Sequence, residues 1–366
     1  MGKFPQLGTP CDLEDLWPLV ERYSTAPPGC RPLQPTERDN LRQTLWECIL
    51  DHVAQNISPD EWKRLLNRTR QKWWRRQYRW TKMHRTFLES IIPIQAEGNT
   101  PPGLILGEPD SIYHAQIEYL TSHLLADFRR SPLLYYKKKH GLVKEEDRPA
   151  FLVGRALHTL VLEGVRVFEH QYTVGGPINP KTGEVYGPNT KAFADWVAAQ
   201  GKPVLTVQQY ELVQRMADGV YSHTLAADLL STGVPEAVVR TEYHGVPCQI
   251  RIDWLSPRHG IVELKTCDDL DWFEADARRY GYAYQVAFYQ AVLCTKFNRS
   301  GDITVPVYFI AIEKKEPFRC GVWRVHDHIL AQARCENEEA IERLKHCIET
   351  NRWPTGYEEL RVFDTL

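Results

Sequence analysis

The chain has 366 residues, of which 43% are hydrophobic and 25% charged. These are ordinary globular proportions that exclude whole-chain disorder and fibrous repeats. At roughly 150 residues per domain, about two domains are expected, with a core large enough to need no disulfides. Lys plus Arg is 45 and Asp plus Glu is 47, a net charge of −2, so any contact with nucleic acid must come from local basic patches.

No stretch approaches the apolar length of a membrane span. Met1 to Glu21 carries charge and prolines where a signal peptide needs an apolar run. The expectation is a cytoplasmic protein with no membrane association. The nine cysteines lie far apart and form no CxxC pair, so neither a zinc ribbon nor a redox dithiol is indicated.

In chain order, residues 1–95 read as a helical, basic and aromatic region. Pro35-Thr36-Glu37 opens a helix through Leu41, Leu45, Ile49 and Val53. Ser58-Pro59 then supplies an N-cap and a first-turn proline. The helix that follows, Trp62 to Arg85, holds ten Lys/Arg, no acid, and Trp62, Trp73, Trp74, Tyr78 and Trp80. Residues 96–109, with Glu97-Gly98-Asn99-Thr100-Pro101-Pro102-Gly103, read as a linker. Residues 110–366 mix helix and strand patterns and form the second domain. Helices are expected over 122–134, 151–163, 206–230, 271–297 and 331–350, with a loop over 179–190. Strands are expected over 237–242 and 246–254, separated by the turn signal His244-Gly245, then over 260–266, 305–313 and 319–325.

Chemistry concentrates in Arg251-Ile252-Asp253-Trp254 and Val262-Glu263-Leu264-Lys265-Thr266. Side chains alternate along a strand, so Glu263 and Lys265 share a face and Leu264 points into the opposite layer. If these strands pair as a hairpin, Asp253 comes beside Glu263. Two carboxylates so placed repel and shift each other's pKa. A divalent cation relieves this: Mg²⁺ favours hard oxygen ligands and substrate phosphates. It can polarise a phosphoryl oxygen, with Lys265 stabilising the added charge. Phosphodiester hydrolysis fits; a surface salt-bridge ladder uses the same residues equally well. His158, in Gly154-Arg155-Ala156-Leu157-His158, could offer an imidazole to the metal or serve as a core or cap residue. Glu163 is partly out of phase with it. Gln285 and Tyr289 are four apart on a helix and share one face, where they could hold a phosphate, orient the lysine, or simply pack.

This order of motifs, GxxxH, Ile252-Asp253, Glu263-Leu264-Lys265 and QxxxY, resembles the PD-(D/E)xK nuclease superfamily, nearest to RecE-type (exodeoxyribonuclease VIII-like) and RecB-type exonuclease domains. The likeness spans roughly residues 110–350 and includes Ile112-Tyr113-His114, Phe128-Arg129-Arg130-Ser131-Pro132 and Val204-Leu205-Thr206. It implies an α/β restriction-endonuclease-like core, a small mixed sheet flanked by helices. It implies that His158, Asp253 and Glu263 bind Mg²⁺, or Mn²⁺ as a substitute, with the Leu264 carbonyl as an extra ligand. Lys265 is then the catalytic lysine, and Gln285 and Tyr289 complete the site. The implied function is metal-dependent exonucleolytic hydrolysis of linear, double-stranded DNA in recombination or phage-type processing. A single-strand annealing protein is the implied kind of partner, and some family members are toroidal homo-oligomers. Some relatives hold an iron–sulfur cluster on four cysteines; Cys320, Cys335 and Cys347 are widely spaced with no upstream complement, so no cluster is expected. An endonuclease of the same core and a catalytically retired DNA-binding or assembly protein stand as alternatives. DNA contacts are sought in Trp62–Arg85 and in Tyr135-Tyr136-Lys137-Lys138-Lys139-His140, both of which could equally be solvated faces.

Overall fold

The structure is a computed structural model that describes residues 20, 24, 35–52, 65–66, 68–70, 103–143, 149–297 and 305–362. The chain forms two compact units, Met1–His84 and Arg85–Leu366. In the first, α1 (Pro35–His52) buries Leu41, Leu45 and Ile49, a four-residue spacing that makes one apolar stripe. Most of the basic run Trp62–Arg85 lies outside the described residues; 65–66 and 68–70 are helical.

The second unit contains, in order, β1 (Leu104–Ile105), α2 (Asp110–Ala115), α3 (Ser122–Arg130), α4 (Pro132–Lys139), α5 (Pro149–His158), a π-turn (Thr159–Glu163), α6 (Val165–Gln171), β2 (Thr173–Val174), α7 (Lys191–Gln200), β3 (Val204–Leu205), α8 (Val207–Ser222) and α9 (Thr224–Leu229). The core strands follow: β4 (Val234–Tyr243), β5 (Val246–Ser256) and β6 (Gly260–Cys267). Then come a 3₁₀ turn (Leu270–Trp272), α10 (Phe273–Tyr280), α11 (Tyr282–Phe297), β7 (Val307–Glu313), β8 (Cys320–Arg324) and α12 (Asp327–Thr350).

Six strands form one sheet in the order β1-β4-β5-β6-β7-β8. Within this sheet only β6 and β7 run parallel; its other pairs are antiparallel. Two apolar layers sandwich it. One packs Ile250, Ile252 and Ile261 against α3, α11 and α12, through Phe128, Val286, Phe288 and Leu344. The other packs Val262, Leu264 and Ile310 against α5, α8 and α9, through Leu157, Val213, Val220 and Ala226. Both faces being covered explains why β6 reads as a nearly continuous buried run.

Several expected elements are interrupted. The helix expected over 122–134 breaks at Ser131-Pro132, where Ser131 caps α4 through its side chain. The helix expected over 206–230 breaks at His223, whose ring accepts from the Ala226 amide. The helix expected over 271–297 breaks at Gly281, in the left-handed region with φ 71. The expected 96–109 linker also needs correction. Leu104 and Ile105 pair with Val239 and Val238 of β4, and Arg240 grips both oxygens of Glu108 at 2.9 and 2.6 Å. The sheet and its first ion pair therefore begin inside that segment.

Ile252 is fully buried next to Asp253. Ile252→Ala is expected to lower unfolding free energy by about 2–5 kcal/mol, read from urea midpoints; an unchanged midpoint would contradict this packing.

Candidate active site

The site grows from a fork between two strands. β5 and β6 pair through Ser256↔Gly260, Leu255↔Ile261 and Trp254↔Val262. Just beyond this last pair, the Leu264 amide donates to the Asp253 Oδ2 at 2.9 Å. A side-chain carboxylate thus takes the amide that the strand ladder would otherwise satisfy, and the acid is fixed where the strands part.

Glu263 and Lys265 share the face turned toward α11, and Leu264 sits in the opposite layer. Lys265 Nζ donates to Glu263 Oε1 at 2.9 Å and to Gln285 Oε1 at 3.1 Å. Gln285 Nε2 donates to the same Glu263 Oε1 at 2.8 Å and to the Tyr289 hydroxyl at 2.9 Å. Glu263 Oε2 is buried and, among the described residues, has no hydrogen-bond partner. An ammonium has three donors; these contacts use two.

His158 closes the site from the other layer. It ends α5 where the backbone passes into the π-turn, a geometry that recurs at functional sites. Its Nδ1 lies 3.5 Å from Asp253 Oδ2. The structure thus joins Glu263, Lys265, Gln285 and Tyr289 in one hydrogen-bonded group and gathers His158, Asp253 and the Leu264 amide in a neighbouring one.

Glu236 was not among the residues singled out from sequence. It lies between the pairs Pro235↔Trp254 and Ala237↔Ile252, directly across from Asp253. One ligand atom each from His158, Glu236 and Asp253 lie within 4.8 Å of one another. Its backbone is left-handed, with φ 49, a conformation that costs a non-glycine residue on the order of 1–3 kcal/mol. The Arg251 guanidinium donates to its Oε2. Glu163 stays outside this group, but its charge acts on Glu236.

Burial and crowding set the electrostatics. Burial pushes Glu236 up to about 8, with Asp253 adding repulsion and Arg251 opposing it. Burial pushes Glu263 up to about 7, again with repulsion from Asp253, and Asp253 up to about 6. Burial opposes the Lys265 charge, yet Glu263 and Asp253 hold its pKa above the ordinary lysine value. Burial, then the Lys265 charge, lower His158 to about 4. His158 is therefore neutral near pH 7, the form in which imidazole ligates metal. Its contact with Asp253 is not an ion pair at that pH.

This donor set fits a hard divalent cation. Three crowded carboxylates each hold a proton more tightly than usual, and one buried carboxylate oxygen is unpartnered. His158 and Asp253 side chains keep 26% and 14% exposure, so both reach solvent. The second basic patch is partly packed against the fold, with Lys137, Lys139 and His140 exposed. Tyr135 is buried and stacks on Trp353 at 5.8 Å, Tyr136 packs on the same ring, and Lys138 pairs with Asp127 at 2.9 Å.

A mixed sheet covered by helices on both faces, with Asp253 at a strand fork followed by Glu263-Leu264-Lys265, defines a PDDEXK-type nuclease fold. Residues 122–365 match the family described as a PDDEXK-like domain of unknown function (DUF3799), and the chain belongs to that family. Its fold is similar to the crystal structure of a protein from Eubacterium rectale described as a "putative exonuclease", with a TM-score of 0.50 and 17% identity, covering 72% of this chain and 96% of that one. No curated protein matches the sequence. No helix among the described residues is long and apolar enough to cross a membrane.

Between about pH 4.5 and 7 the folded, metal-free chain keeps a proton on Glu263 that the unfolded chain has already lost. The stability this proton confers is complete in acid and is lost as pH rises through about 7. The wild-type urea midpoint is expected to fall across this window relative to Glu263→Gln, and Mg²⁺ or Mn²⁺ at pH 8 is expected to raise it. Parallel pH profiles for the two proteins would contradict the assignment.

Proposed function

We propose that this chain is a Mg²⁺-dependent deoxyribonuclease, with Mn²⁺ able to substitute, that hydrolyses phosphodiester bonds of linear, double-stranded DNA from an end. The observation that carries the reading is the state of Glu263. One oxygen is fixed by Lys265 and Gln285, while the other is buried with no hydrogen-bond partner among the described residues. A salt-bridge ladder would satisfy both oxygens or leave the second to water.

Asp253, Glu263 and the Leu264 carbonyl supply oxygen ligands, and His158 a neutral nitrogen. Glu236 adds a third carboxylate on the Asp253 side. When bound, the cation would polarise the scissile phosphate and make hydroxide available as the nucleophile near neutral pH. The protein groups do the rest. Asp253 is held rigid by the Leu264 amide. Gln285 orients Lys265 and Glu263 together, because its carbonyl faces the ammonium and its amide faces the acid. Tyr289 fixes Gln285 in turn. The remaining Lys265 proton can hydrogen-bond the attacking water or a non-bridging phosphate oxygen, where charge grows in the transition state. A place in recombination or phage-type DNA processing, an annealing-protein partner and homo-oligomerisation rest on the family resemblance alone.

End-labelled linear duplex incubated with Mg²⁺ is expected to release mononucleotides, and EDTA to stop release. Lys265→Ala is expected to lower the rate by about 10²-fold or more, and Asp253→Ala and Glu263→Ala to abolish cleavage, with circular dichroism unchanged. Full activity in a clean Lys265→Ala preparation would refute the assignment. Cleavage of covalently closed circles would convert the reading to an endonuclease.

A further inference from the structure

An aromatic step leads from the lysine out to solvent. Lys265 Nζ lies 4.9 Å from the centre of the Tyr282 ring. Tyr282 is held from within by Phe273 and Phe309, at 6.3 and 6.0 Å. Its ring stacks with Tyr280 at 6.0 Å and 28°. Tyr280 is 59% exposed, and the Arg279 guanidinium lies 5.6 Å from its ring.

The chain is built to present this ring. Gly281 takes the left-handed turn between α10 and α11 with φ 71, and a Cβ there would come within 3.2 Å of Tyr284. The two tyrosines on either side are thereby stacked rather than splayed. Neighbouring Arg278 is engaged by Glu274 at 3.9 Å, and Glu274 also accepts from Trp323 Nε1. Arg279 is exposed and makes no ion pair among the described residues. A flat aromatic face beside an exposed guanidinium that makes no ion pair among the described residues, continuous with the proposed phosphate-processing site, matches one chemistry: a nucleobase with its adjoining phosphate. A folded protein partner would demand a wider apolar face than one ring.

We infer that Tyr280 is a stacking platform for an unpaired base at the end of bound DNA, with Arg279 on the adjoining phosphate. The inference rests on the nuclease reading and sharpens its substrate. The terminal base must leave its pair to reach the ring, so frayed ends and short single-stranded overhangs are preferred over blunt G·C ends.

The test uses the full chain and a duplex carrying 2-aminopurine in a two-nucleotide overhang, with Ca²⁺ in place of Mg²⁺ for binding and Mg²⁺ for turnover. Wild-type protein is expected to quench the probe. Tyr280→Ala is expected to lose the quenching and to weaken binding about tenfold, within the range of one base–aromatic stack. KM should rise with kcat nearly unchanged, and Tyr280→Trp should restore both quenching and KM. Arg279→Gln should weaken binding without abolishing quenching. Equal quenching and affinity in wild type and Tyr280→Ala, with wild type cutting DNA normally, would overturn the platform and leave the nuclease reading standing. A wild-type protein that binds the duplex and quenches the probe but cleaves nothing in Mg²⁺ or Mn²⁺ would support the platform and overturn the nuclease reading. A wild-type protein that binds no DNA would overturn both.

Discussion

The site depends on a single substitution in the backbone ladder: the Asp253 carboxylate accepts the Leu264 amide where β5 and β6 separate. Ordinary pairing there would bury the amide against a carbonyl and leave the acid pointing elsewhere. The fork instead draws Asp253 to the exact strand that carries Glu263 and Lys265, and β4 carries Glu236 to it from the other side. The consequence is a group of buried acids whose pKa values all rise, first through burial and, for Glu236 and Glu263, through repulsion from Asp253. Lys265 and Arg251 offset part of that repulsion. Burial of like charges without fuller compensation is costly, and a divalent cation is the natural remainder.

The supporting shell works in two layers. On one face α11 delivers Gln285 and Tyr289 from a helix whose Val286, Ala287 and Phe288 are buried in the core. Rigid packing behind the amide lets one glutamine hold both the lysine and the acid. On the other face α5 delivers His158 at its last turn, with Ala156 and Leu157 buried behind it. The sheet thus separates the groups by origin and joins them at the fork. Arg251 ties the site to its rim through Glu236, Asp110 and the Glu108 carbonyl, and Arg240 locks Glu108 in turn.

Much of this was legible in the residues. The β4–β5 hairpin, the short third strand and the alternation in Glu263-Leu264-Lys265 follow from period-two patterning and one turn signal. The spacing of Gln285 and Tyr289 follows from helical geometry. Glu236 was missed because the strand was started at Ala237, three residues late, behind Pro235. Counting back from Tyr243↔Val246 across the turn places Glu236 opposite Asp253, so the signal was present in the register. The helix breaks at Ser131, His223 and Gly281 were missed because apolar periodicity continues across them, while capping and a left-handed turn decide the boundary locally. The Pro-Gly segment before Leu104 masked a two-residue edge strand too short to show a pattern. The fate of Tyr135 and Tyr136 could not be read locally, since Trp353, their packing partner, lies more than two hundred residues away.

The central claim is that the fork is a cation site, and diffraction from crystals grown with Mn²⁺ tests it most directly. The account predicts an anomalous peak bounded by Asp253 and Glu263 oxygens at about 2.1–2.2 Å, near the distance hard divalent ions of this size adopt. The formerly unpartnered Glu263 oxygen should be among its ligands. A fully occupied structure with no peak at the fork, and with Glu263 Oε2 bonded to water or to another side chain, would contradict it.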